Sequence, residues 1–177
     1  ALSGTTNALV SIGDAMAAGD RELARQHIDE LEKRYQSFIG ELLKTESALS
    51  KAKMIVAGHF EFLNIILKIS FSDALSKDIL AQGELLSTKL FSTFLEEKHI
   101  DHALLPALEF MTIDADDEPQ IENIKVKLFN LLQQHSSKKL FITQGYICRN
   151  ARGEVDNLKR GGSDYSASLI AAAFKVI

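Results

Sequence analysis

Two segments of the sequence set small, hydroxylated or glycine residues directly ahead of a helical stretch: Ser3-Gly4-Thr5-Thr6-Asn7 and Arg160-Gly161-Gly162-Ser163-Asp164-Tyr165. The first turn of a helix has backbone N–H groups without intrahelical partners and carries a partial positive charge. A helix start at the end of such a loop can therefore receive a carboxylate or a phosphate. Glycine lets the backbone come close to a ligand. Arg160 adds a planar guanidinium that can hold a carboxylate through two parallel hydrogen bonds. The same residue types also serve as plain helix caps, so neither segment alone decides between capping and anion binding. Neither is a P-loop, because no Gly-x-x-x-x-Gly-Lys pattern occurs.

Several elements must position these segments. Asn7 to Ala18 has helical composition and stops at Gly19. Asp20 is placed to cap the next helix, in which Leu23, Ile28, Leu31, Tyr35, Phe38 and Leu42 fall on one face. From Ile28 to Leu42 the steps alternate between three and four, a heptad-like seam that fits packing within the domain or against a partner helix. Phe60 to Phe71 reads as a buried helix, and Asp78 to Lys98 as a further helix that contains Gly83-Glu84-Leu85-Leu86-Ser87-Thr88. Ala103-Leu104-Leu105, stopped by Pro106, reads as a brief strand. The acidic run Asp114, Asp116, Asp117 and Glu118 ahead of Pro119 reads as a solvated loop. Ile121 to Gln134 is helical, with Ile121, Ile124, Leu128, Leu131 and Leu132 on one face. Leu140 to Thr143 reads as a central strand. Gly145 to Lys159, with turn residues at Asn150-Ala151-Arg152-Gly153, reads as a hairpin, and Gly161-Gly162-Ser163-Asp164 opens the last helix. Strand and helix alternate, so the fold class is α/β with helix dominant.

Composition bounds the partners. The 177 residues suit one ordinary domain, with 46% hydrophobic and 25% charged residues. A net charge of −4 gives no sign of a nucleic-acid partner. No stretch approaches the ~20 apolar residues of a membrane helix, and no signal peptide is visible at the start. Cys148 is the only cysteine, which excludes an internal disulfide, fits a reducing compartment, and reads as a buried small apolar group. His27, His59, His99, His102 and His135 have no metal-ligand spacing, so no metal site is expected from them.

Four segments together resemble successive motifs of the aspartokinases, in that family's order and spacing. They are Ser3-Gly4-Thr5-Thr6-Asn7-Ala8-Leu9, Gly83-Glu84-Leu85-Leu86-Ser87-Thr88, Ile142-Thr143-Gln144-Gly145-Tyr146-Ile147 and Arg160-Gly161-Gly162-Ser163-Asp164-Tyr165-Ser166-Ala167. The resemblance runs the length of the chain. It implies a helix-rich part of the αβα-sandwich amino-acid kinase fold, with residues 1–177 forming a partial catalytic domain. It implies transfer of the γ-phosphate of ATP, with Mg²⁺, to the side-chain carboxylate of L-aspartate, the first step toward lysine, threonine and methionine, in a cytoplasmic homo-oligomer. By the same resemblance Thr6 lies at the substrate, Glu84 faces its α-ammonium, Arg160 pairs with a substrate carboxylate, and Ser163 and Asp164 complete the pocket. Tyr146 supplies an aromatic face, Arg160 and Asp164 are the candidate catalytic groups, and Gly161 and Gly162 lie at the nucleotide. Lys159 departs from the family, which commonly has glycine before the motif arginine.

The family's Lys-Phe-Gly-Gly-Thr-Ser opening, its second nucleotide-binding half and its paired ACT domains do not occur in these 177 residues. The expectation is therefore that this chain alone has no turnover. Exposed edge strands would lead it to self-associate. A contrasting reading, a helical interaction module resting on the Ile28–Leu42 seam, makes Leu31 and Phe38 the important residues and Arg160 and Glu84 dispensable.

Overall fold

A computed structural model describes residues 2–158 and 162–174. The chain divides into two compact units, residues 1–100 and 101–177.

The first unit is a group of four helices. Gly4, at φ 78°, turns the chain into α1 (Thr5–Ala17). Gly19, at φ 77°, ends that segment, where only a residue without Cβ sits in the left-handed region at no steric cost. Asp20 then caps α2 (Arg21–Leu42), its carboxylate accepting from the Leu23 N–H at 2.9 Å. Thr45 caps α3 (Glu46–Ile66) and Ser72 caps α4 (Asp73–Glu97) in the same way. Both α1 and α3 pack against α2 and α4.

On α2 the residues that become fully buried are Ala24, Ile28, Leu31, Tyr35 and Ile39. The expected face holds at Ile28, Leu31 and Tyr35, but Leu23 is 40% exposed, and Phe38 and Leu42 are only partly buried. The cause is the helical period: a helix of 3.6 residues per turn drifts away from a strict 3.5-residue seam, so Ile39 replaces the outer positions. The seam packs on helices of its own unit. Each large apolar side chain buried this way contributes about 1.5–3 kcal/mol.

α3 begins fourteen residues before the expected Phe60, because Thr45 nucleates it and Ala48, Ala52, Val56, Phe60 and Leu63 form its buried stripe. It ends at Ile66, and Phe62, Ile65 and Ile69, within the expected buried run, are exposed. α4 likewise starts at Asp73, five residues before the expected Asp78, set by the Ser72 cap. Its last acidic residue, Glu97, reaches across to the turn between α2 and α3. One carboxylate oxygen accepts from the Lys44 N–H and the Thr45 N–H, both at 2.7 Å, and from the Thr45 hydroxyl at 3.1 Å. Those two backbone donors hold the Glu97 carboxyl at about 2, well below its ordinary value.

In the second unit β1 (Ala103–Leu105) pairs in parallel with β2 (Phe141–Thr143), with Leu104 opposite Ile142. Parallel strands need a long crossover. It is supplied here by α5 (Ala107–Phe110), which Pro106 starts, and α6 (Ile121–Gln134), with Ile124, Leu128 and Leu131 buried. The sequence predicts β2 as a central strand. Among the described residues it pairs with β1 alone, and Phe141 is 36% exposed. The acidic loop forms as expected, with Asp114 Oδ1 accepting from the N–H groups of Asp116 and Glu118. The hairpin of β3 (Ile147–Arg149) and β4 (Val155–Asn157) also forms. Asn150 Oδ1 accepts from the Arg152 and Glu154 N–H groups, and Gly153 sits at φ 78°. Met111 and Ile113 run beside Arg149 through two backbone hydrogen bonds. Cys148 is buried at the centre of β3. The last helix is α7 (Gly162–Phe174). Among the described residues no helix is long and apolar enough to cross a membrane.

Candidate functional site

In the first unit the start of α1 is built by contacts from two helices, α2 and α4. No side chain caps it. From α2, Arg34 donates to the Ser3 carbonyl at 2.6 Å, and its guanidinium lies over Gly4, 3.5 Å from where a Cβ there would sit. Also from α2, the buried Tyr35 hydroxyl is 3.0 Å from the buried Thr5 hydroxyl. From α4, Gly83 faces the same turn: a Cβ there would lie 3.1 Å from Leu9 Cδ1 and 3.5 Å from Thr5 Cγ2. The absence of a side chain at 83 lets α4 approach α1 closely, and the next residue, Glu84, is near enough to Tyr35 to act on its phenol.

Glu84 is half-buried, and among the described residues its carboxylate has no hydrogen-bond or ion-pair partner. A half-buried acid without a partner is poised for a cation supplied from outside. Thr6 is exposed on the first turn of α1, whereas Thr5 is buried and structural. Burial raises the Tyr35 phenol above its ordinary value; the Thr5 hydrogen bond and Arg34 oppose the shift, and Glu84 adds to it. The net effect keeps the phenol protonated.

The second unit builds the other group of candidates. A Cβ on Gly145 would lie 2.6 Å from Ser163 Oγ and 2.7 Å from Ser163 Cα, closer than packed atoms come. Only glycine allows this turn to lie against the start of α7. The next residue, Tyr146, adopts φ 69°, an uncommon conformation for a residue with a Cβ. Its carbonyl accepts from the Leu158 N–H at 2.7 Å, and its N–H donates to Ser166 Oγ at 2.9 Å. Gly162, at φ 41°, faces the Tyr146 ring, with Cδ2 3.8 Å from the Cβ position. Tyr146, Gly162 and Ser163 are thus brought together. Ser163 and Asp164 are exposed on the first turn of α7. At the end of β2, two residues before Gly145, the Thr143 hydroxyl is buried without a hydrogen-bond partner among the described residues. The buried Gln144 accepts from the Ala107 N–H at 2.7 Å, fixing the strand end that precedes the turn.

Of the predicted residues, Thr6 and Glu84 belong to the first unit, and Tyr146, Gly162, Ser163 and Asp164 to the second. Arg160 and Gly161, together with Lys159, lie outside the described residues. Sequence reasoning gave no role to Arg34, Tyr35, Thr5 or Ser166, although Thr5 and Ser166 lie within the quoted motif segments. Tyr35 carries an apolar-seam signal that hides its hydroxyl, and Arg34 carries no local signal. No group of three or more His, Cys, Asp or Glu side chains that could hold a metal occurs among the described residues.

The model of the family described as "Amino acid kinase family" matches residues 3–176. The chain is 35% identical over 175 residues to the bifunctional aspartokinase/homoserine dehydrogenase 2 of Escherichia coli, covering 97% of this chain and 21% of that protein. It is 28% identical over 176 residues to the lysine-sensitive aspartokinase 3 of the same organism, covering 98% of this chain and 38% of that protein. Among solved structures, E. coli aspartokinase III in complex with aspartate and ADP superposes with a TM-score of 0.77 at 25% identity, covering 98% of this chain and 38% of that one. The chain thus spans well under half the length of these relatives.

Proposed function

From a chain that belongs to the amino acid kinase family, we infer an aspartate kinase, with these residues forming the acceptor side of its active site. ATP is the phosphoryl donor and L-aspartate the acceptor, giving ADP and 4-phospho-L-aspartate. The acceptor oxygen belongs to a carboxylate that is already ionised at neutral pH, so no general base is required. One β-carboxylate oxygen forms a bond to the γ-phosphorus while the bond from that phosphorus to the β,γ-bridging oxygen breaks, and the electron pair leaves on ADP. Catalysis then rests on alignment and charge neutralisation.

The observation that carries this reading is the half-buried carboxylate of Glu84, without a partner among the described residues and next in the chain to the Gly83 that packs on the first turns of α1, whose start has no side-chain cap. A fixed anion there suits the α-ammonium of an amino acid, and free helical N–H groups suit a carboxylate. Thr6 adds a hydroxyl at the same turn. In the second unit the turn at Tyr146 offers an aromatic face, and the exposed Ser163 and Asp164 offer a donor and a second anion. The role of Arg160 is to neutralise a substrate carboxylate. Gly161 and Gly162 serve the nucleotide phosphates, and Mg²⁺ accompanies those phosphates. The relative bound to aspartate and ADP supports this choice of substrates. The enzyme's place in lysine, threonine and methionine formation, its cytoplasmic location, its homo-oligomeric state and the inactivity of residues 1–177 alone are parts of the same proposal.

The test is a coupled kinase assay of the full-length protein with aspartate and with glutamate, beside an Arg160→Ala variant. Turnover on aspartate, weakened in the variant through a higher KM for aspartate, supports the assignment. A well-folded protein without turnover on either acid removes it.

A further inference from the structure

We propose that Ser166 is a positioning residue: its hydroxyl fixes Tyr146 to the first turn of α7 and so aligns the aromatic face with the residues that meet the acceptor substrate. This rests on the aspartate-site reading for its meaning, and on geometry for the contact itself.

Ser166 lies on the second turn of α7 and is 3% exposed. Its hydroxyl accepts the Tyr146 N–H at 2.9 Å and donates to the Gly162 carbonyl at 3.1 Å. A hydroxyl has one hydrogen to give and lone pairs to accept, and both capacities are used. A helical serine commonly bonds back to the carbonyl four residues earlier. That habit explains the Gly162 contact and leaves the bond from Tyr146, twenty residues away, as an added tertiary link.

Tyr146 needs such a link. Its backbone sits at φ 69°, which a residue with a Cβ keeps only when its surroundings hold it. Two neighbouring bonds come from the local chain, Leu158 N–H to the Tyr146 carbonyl and Ile147 N–H to the Gly145 carbonyl. Both leave the turn free to move relative to α7. Among the described residues the bond to Ser166 ties this turn to that helix, and it acts where Gly145 already admits Ser163 at close range. The helix turn so registered carries Ser163 and Asp164. The buried Ser166 oxygen, with the close Gly145–Ser163 packing, therefore sets the distance between the aromatic face and the polar residues of α7. Loss of the bond lets the Tyr146 turn relax without removing any group that touches substrate.

The experiment compares wild type, Ser166→Ala and Ser166→Thr. In the full-length enzyme, Ser166→Ala is expected to raise KM for aspartate about tenfold, one buried hydrogen bond's worth. KM for ATP should rise less than KM for aspartate, and kcat should fall less than KM for aspartate rises. Ser166→Thr, which keeps the hydroxyl, should return KM to within about twofold of wild type. Hydrogen exchange at the Tyr146 amide is followed in the same proteins. It should be slow in wild type and the threonine variant, and at least about tenfold faster in the alanine variant. An unprotected Tyr146 amide in wild type overturns the proposal. So does an unchanged KM in Ser166→Ala, or a threonine variant that behaves like alanine. If Ser166→Ala does not fold, the wild-type amide and the threonine variant still decide. If wild type does not phosphorylate aspartate but the Tyr146 amide responds as described, the substrate reading fails while the hold on Tyr146 stands.

Discussion

Gly145→Ala tests the close approach on which the group of candidate residues in the second unit depends. The added methyl carbon would fall 2.6 Å from Ser163 Oγ, 2.7 Å from Ser163 Cα and 2.8 Å from Ser163 Cβ. The hydroxyl could rotate away, but the Cα is backbone and cannot. Restoring an ordinary contact of 3.4 Å to that atom moves the turn and α7 apart by about 0.7 Å. Overpacking of this kind costs about 1–3 kcal/mol of stability. The functional cost is larger in proportion, because a misplacement near 1 Å in a positioning site lowers rate by roughly 10²-fold. The expectation is a fall of roughly 10- to 100-fold in kcat/KM for aspartate, with a modest drop in the thermal midpoint. Gly153→Ala is the control. Its φ is 78° but nothing lies within 4 Å of the new methyl, so it strains the hairpin turn without moving α7. It should lose stability and keep kcat/KM. A Gly145→Ala enzyme with wild-type kcat/KM for aspartate would refute the argument that this approach sets the pocket.

Two further expectations concern pH. His59 is buried, with Nδ1 2.6 Å from Gln82 Oε1 and Nε2 3.1 Å from Lys89 Nζ, and burial first, then Lys89, lowers its pKa despite the Gln82 bond. The fold therefore favours neutral imidazole. The associated stability is present above about 6.5 and is lost as pH falls toward the lower folded value. Urea midpoints of wild type and His59→Gln at pH 7.5 and 5.5 check this, and a wild-type midpoint no more pH-dependent than the variant's would reject it. For Glu97 the folded carboxyl lies at about 2 against 4.5 ordinarily, so its contribution is present above 4.5 and disappears as pH falls through about 2. Glu97→Gln should flatten the stability profile across that window and loosen the Lys44 and Thr45 amides to exchange.

What the sequence made legible was local. Asp20 as a cap, Ala103–Leu105 as a strand before Pro106, and a hairpin around Asn150–Gly153 each follow from side chains that act on their own backbone. The start of α3 was hidden because Thr45 stands in a polar stretch where several residues could cap, and the Glu97 contact that fixes it comes from 52 residues away. β2 looked central because its residues are apolar, yet the pairing described for it is one-sided. For the candidate site, Thr6, Glu84, Tyr146 and Ser163 were proposed from the motifs of the resemblance. The partners that hold them were not: Tyr35 behind Thr5, Gly83 under Leu9 and Ser166 on Tyr146 are tertiary encounters with no periodicity to announce them.

Cys148 gives the chain its own clock. It is the only thiol in the sequence and is sealed at the centre of β3. An aromatic disulfide reagent in solution can reach it only when the hairpin opens. At low reagent the labelling rate reports how often closed hairpins are found open, and at saturating reagent it reports how fast they open. Ligands that bind the Tyr146 turn, which leads directly into β3, would slow that clock without any tag or engineered cysteine being added.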